Sequence, residues 1–217
     1  MRVKLYRDIL EANDIVAAQT RRLLDEKGIF CLNLIGSPGS GKTTLLELTV
    51  EHLLAEGRLH PAVIEGDIAT TRDAERIEAK GATAVQINTE GGCHLDAGMM
   101  RAALEELPLN GTDVIFVENV GNLICPADFD LGEHAKVIVY SVAEGDDKPL
   151  KYPLAFRRAA VVVISKMDLL PHVTFDLAKV KAEIATINPE LLVFPLSART
   201  GEGLGPWFEW VCARADT

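Results

Sequence analysis

The sequence is short of cysteine, of aromatic residues and of basic charge, and it has no long apolar run. Four cysteines (Cys31, Cys93, Cys125 and Cys212) in 217 residues are too few for a disulfide framework, so reduced thiols in a cytoplasmic protein are expected. No apolar stretch approaches the roughly 18 residues of a membrane span, and the run at 159–164 has the length of a strand. The opening MRVKLYRDILEAND lacks the apolar centre of a signal peptide and reads as an amphipathic helix. With 22 Lys and Arg against 32 Asp and Glu, the formal net charge is -10. Neither a nucleic acid nor a membrane is expected as a partner, because phosphate backbones are bound by clustered cations. What is present is an ordinary globular balance, 48% hydrophobic and 25% charged. The length suits one domain over 1–217, with a helix at 1–28 packed on it.

Short apolar runs at 29–35, 62–64, 84–87, 114–117, 137–140, 160–164 and 191–194 read as strands. Helical spacing covers 3–27, where Leu5, Ile9, Ile15, Val16, Leu23 and Leu24 recur and Gly28 follows. Further helices are expected at 43–56, 71–80, 96–106, 175–187 and 204–213. Continuous apolar strands separated by helices predict an α/β fold. Its central sheet has about seven mostly parallel strands, with helices on both faces. In such a fold, function gathers at the carboxyl ends of the strands.

The first strand runs directly into Gly36-Ser37-Pro38-Gly39-Ser40-Gly41-Lys42-Thr43, with Thr44 next, and then into a helix. This is G-x-x-x-x-G-K-[ST] in the setting the motif requires. Glycines let successive N–H groups converge on phosphate oxygens, and the helix start adds its positive dipole end. Lys42 would neutralise the β- and γ-phosphates, and Thr43 would offer a hydroxyl to Mg2+. Ser165-Lys166-Met167-Asp168 after the sixth run resembles the [NT]KxD guanine signature, with Ser165 in the usual place of Asn. Asp168 could accept from guanine N1–H and the 2-amino group, and the Lys166 stem could cover the base. Ser197-Ala198-Arg199 after the last run resembles the second guanine-contacting turn, [ST]A[KR]. Together they favour GTP over ATP. Two acids end strands on the same side: Asp67, and Glu118 in Glu118-Asn119-Val120-Gly121. They suit Mg2+ binding or the positioning of an attacking water, or else each caps the next helix. Glu118-x-x-Gly121 stands where many GTPases have D-x-x-G, whose glycine amide senses the γ-phosphate.

Cys93 and His94 follow the third strand, and Cys125 follows Glu118 by seven positions. Thiolate with imidazole suits Ni2+, Zn2+ or Cu rather than Mg2+. Three ligands do not close a site, so it would be completed by a second subunit or left open and exchangeable. By spacing alone, cysteines packed as small hydrophobes are the better reading. Cys31 and Cys212 read as packing residues, and His52, His60, His134 and His172 show no ligand spacing.

The segments GSPGSGKTTLLE (36–47), EGDIATTRDAERI (65–77), QINTEGGCHLDA (86–97), FVENVGNLICPA (116–127), VAEGDDKPLKYP (142–153) and SARTGEGL (197–204) carry a wider likeness. Together they resemble the hydrogenase and urease nickel-insertion GTPases of the SIMIBI class, most closely the hydrogenase-maturation HypB type. CHLDA and ENVGNLICPA are the specific elements, since the phosphate loop is shared by many families. The resemblance implies a P-loop NTPase fold, hydrolysis of GTP to GDP, and Mg2+ near Thr43, Asp67 and Glu118, with Lys42, Asp67 and Glu118 as the catalytic set. It implies Ni2+ or Zn2+ at Cys93, His94 and Cys125, at the interface of a homodimer formed on GTP binding. The γ-phosphate would hold the segments after Asp67 and Glu118. The partners implied are a nickel-binding accessory protein of HypA type and the hydrogenase large subunit, with insertion into the [NiFe]-hydrogenase active site as the outcome. There are two departures from the family pattern. No Cys-rich or His-rich N-terminal motif precedes the helix, so nickel storage there is not expected, and Ser165 bears on nucleotide affinity. The alternatives are a urease-type nickel-insertion GTPase, a P-loop small-molecule kinase, and a metal-binding scaffold with a decayed nucleotide site. Cys93-His94-Leu95-Asp96 in place of Cys-Pro-His speaks against the first, Asp168 against the second, and intact Lys42, Thr43 and Asp67 against the third.

Overall fold

The structure, a computed structural model, describes residues 2–67 and 72–216. The seven apolar runs form β1 (Phe30–Ile35), β2 (Pro61–Asp67), β3 (Thr83–Asn88), β4 (Val114–Glu118), β5 (Ala135–Ser141), β6 (Val161–Ser165) and β7 (Leu192–Pro195). They make one sheet in the order β3-β2-β4-β1-β5-β6-β7. Every pairing is parallel, beyond the mostly parallel sheet expected.

The helices are α1 (Arg2–Lys27), α2 (Lys42–Glu56), α3 (Arg72–Glu78), α4 (Ala97–Glu106), α5 (Cys125–Asp128), α6 (Lys148–Lys151), α7 (Pro153–Arg158), α8 (Leu177–Ile187) and α9 (Leu204–Ala215). The short α5, α6 and α7 were not expected. Each is too brief for a periodic signal, and each has a proline in its first turn (Pro126, Pro149 and Pro153), where the missing N–H costs nothing. Of the helix expected at 71–80, position 71 lies outside the described residues.

Alternation along the strands divides the core into layers. Leu32, Leu34, Phe116 and Val137 face α2 and α9, meeting Leu46, Val50, Trp207 and Val211. On the opposite face, Cys31, Ile64, Ile115 and Val117 pack on α1 and α4 through Leu24, Met100 and Leu104. Beside them Ile138, Tyr140, Val162 and Ile164 pack on α7 and α8 through Phe156, Val180 and Ile184. Full burial of one such leucine or phenylalanine stabilises by about 1.5–3 kcal/mol. Between these last two clusters runs a polar seam, where Asn33, Asn119, Glu133 and Lys136 are all buried.

α1 packs only partly by the apolar stripe read from its sequence: Leu24 and Leu23 meet the core, but the stripe fails nearer the helix start. Ile9 and Ile15 are exposed, and the buried positions are Asn13, Ala17, Thr20 and Leu24. The helix lies against polar loop backbone as well as apolar core. Asn13 Nδ2 donates to Asp130 O at 2.8 Å, and Arg21 Nε donates to Gly132 O at 2.8 Å. A hydrophobicity pattern cannot register such a face.

Candidate nucleotide and metal site

An all-parallel sheet brings the loops after all its strands to one rim. After β1 the chain turns through Gly36–Gly41 into α2, and the Ser40 N–H closes the turn on Ser37 O at 3.1 Å. A Cβ at Gly36 would collide with the carbonyl oxygen of Val139, so this close approach to β5 requires glycine. Lys42 is buried; its Nζ donates to Gly36 O at 3.3 Å and lies 3.7 Å from Glu118 Oε1. Thr43 Oγ1 donates to the same carboxylate oxygen at 3.0 Å. Asp67 closes β2, its carbonyl accepting from the Thr89 N–H at 3.0 Å. The segment expected to respond to the γ-phosphate after Asp67, 68–71, lies outside the described residues.

Glu118 faces a second acid that sequence reasoning missed. Glu65 lies opposite it in the β2–β4 register and is 2% exposed. As carboxylates, Glu65 Oε1 and Glu118 Oε2 would both be buried without a hydrogen-bond donor. Burial, and then the charge of Glu118, pushes the Glu65 carboxyl up to about 10. Glu65 therefore keeps its proton at neutral pH and donates to Glu118. Burial also raises Glu118, to about 7, against the opposing pull of Lys42 and of the Thr43 hydroxyl. The only sequence signal for this pair was an acid two positions before Asp67 in an otherwise apolar strand.

The base end of the cleft is formed after β6 and β7. Lys166 Nζ donates to Gly39 O at 2.6 Å, and Ser165 Oγ donates to Ser40 O at 2.6 Å. The departure at Ser165 thus still braces the phosphate loop, through a single bond. Ser197 Oγ donates to Asp168 Oδ1 at 2.7 Å, and Arg199 Nη1 lies 3.7 Å from Asp168 Oδ2. A pocket of about 320 Å³ opens here, lined by Gly41, Thr44, Lys166, Asp168, Ala198 and Arg199 among others.

The thiols lie on the same rim, at the loop after β3 and the start of α5. Cys93 Sγ is 2.9 Å from Cys125 Sγ and 3.6 Å from His94 Nδ1. One ligand atom from each of the three residues lies within 4.8 Å of the others. Cys93 is exposed, and His94 and Cys125 are half-buried. The His94 ring packs on Phe129 with centroids 3.9 Å apart, and burial lowers its pKa, which favours the neutral imidazole a metal needs. The hydrogen bond with Cys93, and then burial, raises the Cys125 thiol. Cys31 is fully buried in β1, and Cys212 sits half-buried on α9, away from the cluster.

A family model for the CobW/HypB/UreG nucleotide-binding domain matches residues 30–195. The chain belongs to the CobW/HypB/UreG family. Within it, the chain groups with the hydrogenase maturation factors of HypB type. It is 51% identical to that factor from Azotobacter chroococcum over 210 residues, which is 96% of this chain and 68% of the relative. The crystal structure of HypB from Helicobacter pylori in complex with nickel superposes with a TM-score of 0.89 at 37% identity, covering 94% of this chain and 95% of that one. HypB from Archaeoglobus fulgidus gives 0.88 at 38% identity, covering 94% and 99%. The family is one of P-loop nucleotide-binding proteins.

In this HypB-type domain the two segments that carry Cys93, His94 and Cys125 are anchored from beneath by the polar seam, which sequence reasoning also missed. Asn119 Oδ1 accepts from the Leu95 N–H at 3.1 Å, just past His94, and from its own neighbour Val120 at 3.0 Å. Its Nδ2 donates to Asn33 Oδ1, and Asn33 Nδ2 donates to Glu133 Oε1, each at 3.2 Å. Lys136 Nζ donates to Pro126 O and Phe129 O, both at 2.9 Å, and lies 3.4 Å from Glu133 Oε1. The carbonyls at both ends of α5 are thereby tied to β5. The one legible sign was Asn33, a polar residue in the middle of an apolar strand. Lys148, inside VAEGDDKPLKYP, also reaches the phosphate loop, donating to Ser37 Oγ at 3.4 Å.

Proposed function

We propose that the chain is a GTP-hydrolysing nickel carrier that assists metal insertion into a [NiFe]-hydrogenase. The observation that carries this reading is the placement of an open sulfur–nitrogen cluster on the rim that also holds a complete phosphate loop. Support for guanine comes from Asp168 and Ser197-Ala198-Arg199 around the base pocket, where a carboxylate can accept from N1–H and the 2-amino group. Support for nickel comes from the donor set, since thiolate and imidazole suit Ni2+, or Zn2+ in its place, and from the nickel complex of the Helicobacter pylori relative.

In this reading the Gly36–Thr43 loop and Lys42 hold the β- and γ-phosphates, while Lys166, Asp168, Ala198 and Arg199 take the base. Mg2+ fits Thr43, Glu118 and Asp67, where the Thr43 hydroxyl and the Glu118 carboxylate already meet. When bound, Mg2+ neutralises charge on the phosphates. Glu118, raised toward neutrality, orients the attacking water, and Lys42 stabilises the departing charge. Cys93 is exposed, so the cluster's open side accommodates a second copy of the chain. GTP-dependent homodimerisation and handover among a HypA-type accessory protein and the hydrogenase large subunit belong to the same reading, in a reducing cytoplasm. Phosphate release from GTP and from ATP, with bound Ni2+ counted per chain, tests it. Preference for GTP and Ni2+ binding that depends on Cys93 and Cys125 are expected. Preference for ATP, or Ni2+ binding indifferent to both cysteines, refutes it.

A further inference from the structure

One residue touches the phosphate loop and both ligand segments. The Asn122 carbonyl accepts the N–H of Gly36, the first residue of the phosphate loop, at 3.3 Å, as an isolated bridge outside the sheet. Its side-chain Nδ2 donates to Cys93 O at 3.3 Å, and its Oδ1 accepts at 3.0 Å from the N–H of Ile124, which precedes Cys125. The same amide also hydrogen-bonds the Cys125 side chain. The turn beside it is pressed on the loop a second time, because a Cβ at Gly121 would stand 2.8 Å from Pro38 Cγ. A shift of the phosphate loop therefore drags the 121–122 turn, and a shift of Asn122 changes where Cys93 and Cys125 stand. Asn119, three positions earlier, differs: it is 1% exposed, and its amide bonds go to β1, Leu95 and Val120, none to the phosphate loop. Asn119 is a fixed post, whereas Asn122 is a lever with one end on each site.

We infer that Asn122 is the positioning residue through which the phosphate loop sets the geometry of the Cys93–His94–Cys125 cluster. This rests on the reading that the chain binds both nucleotide and nickel. Because the bond to Gly36 is made by backbone and the bonds to the ligand segments by side chain, substitution at 122 cuts only the second half of the lever.

The test titrates the full chain with Ni2+, with GDP or a non-hydrolysable GTP analogue bound, and follows the nickel–thiolate charge-transfer absorption. In the unaltered chain, Ni2+ affinity differs between the two nucleotides by roughly fivefold or more, and the band shifts with the nucleotide. In Asn122→Ala, nucleotide and Ni2+ both still bind, but the affinity ratio falls below about twofold and the band no longer responds. Asn122→Asp keeps the acceptor for Ile124 and loses the donor to Cys93; it gives the same loss independently. Asn119→Ala lowers the melting temperature yet keeps the nucleotide response. If Asn122→Ala and Asn122→Asp retain the full ratio, the inference fails while the function reading stands. An unaltered chain that binds Ni2+ equally with both nucleotides, or not at all, overturns both. Loss of nucleotide binding in both Asn122 variants makes the residue merely structural and also overturns the inference.

Discussion

The phosphate loop and the thiol cluster share a rim but are held in opposite ways. Cations and a hydroxyl donate into the loop's own carbonyls: Lys42 to Gly36, Lys166 to Gly39 and Ser165 to Ser40. Its lysine is buried, and its geometry is fixed by contacts within one stretch of chain and the neighbouring strand ends. The thiols stand on two short segments, with Cys93 exposed, and are steadied by side-chain amides from elsewhere in the sequence. The first arrangement is preorganised to hold a charged ligand tightly. The second is a cluster of two thiols and an imidazole open to solvent, a donor set that suits a metal ion able to enter and leave. That contrast is what the proposed nucleotide-driven carrier requires.

Lys42→Ala gives the largest expected break. Nucleotide affinity and phosphate release fall by roughly 100-fold or more, while Ni2+ affinity without nucleotide is unchanged in metal titrations. Loss of both would mean that the two regions are one folding unit. Asp168→Asn sharpens the nucleotide side. The lost charge-assisted hydrogen bonds lower GTP affinity by roughly 10- to 100-fold, and xanthosine triphosphate, with an oxygen at C2, gains in competition assays. Cys93→Ser or Cys125→Ser breaks the other side. Ni2+ affinity drops by at least the roughly tenfold typical of disturbing a metal's supporting partners, and GDP binding without metal is unaltered. In the unaltered chain, Ni2+ binding also weakens on acidification, because the thiols and imidazole must shed protons.

The smallest effect concerns the buried acids. Folded Glu65 keeps its proton up to about 10, whereas the unfolded chain releases it near 4.5. Across that window the folded state holds the extra proton, so stability of the ligand-free chain declines as pH rises. Glu65→Gln, neutral at every pH and of the same shape, removes most of this decline. Its melting temperature falls less between pH 5 and pH 9 than that of the unaltered chain. The Glu118 contribution, which ends near 7, persists in the variant. Parallel pH profiles by calorimetry would show that Glu65 is ionised in the folded chain.

The same contrast explains what could be read in advance. The strands and the phosphate loop were legible because each is a local pattern: an apolar run, or a fixed spacing of Gly, Lys and Thr beside one. Asp168 and Ser197-Ala198-Arg199 were legible as short motifs in the right order, and the pocket at 41–44 and 166–199 joins them. Cys93, His94 and Cys125 were open to a packing reading by spacing alone, and only the likeness of CHLDA and ENVGNLICPA favoured a metal; the structure brings the three side chains together. What stayed hidden depends on long-range pairing. Glu65 meets Glu118 only through the β2–β4 register. Asn33, Asn119, Glu133 and Lys136 form a seam only once β1, β4 and β5 lie side by side. The buried face of α1 uses Asn13, Ala17 and Thr20, which no apolar periodicity marks.

Coupling between two ligands is reciprocal, so nickel must act on nucleotide as strongly as nucleotide acts on nickel. The most direct measurement is the calorimetric affinity of the full chain for a non-hydrolysable GTP analogue and for GDP, with and without saturating Ni2+. The account predicts that nickel changes the ratio of the two nucleotide affinities by roughly fivefold or more. A ratio that is the same with and without nickel would contradict it and leave two independent sites on one rim.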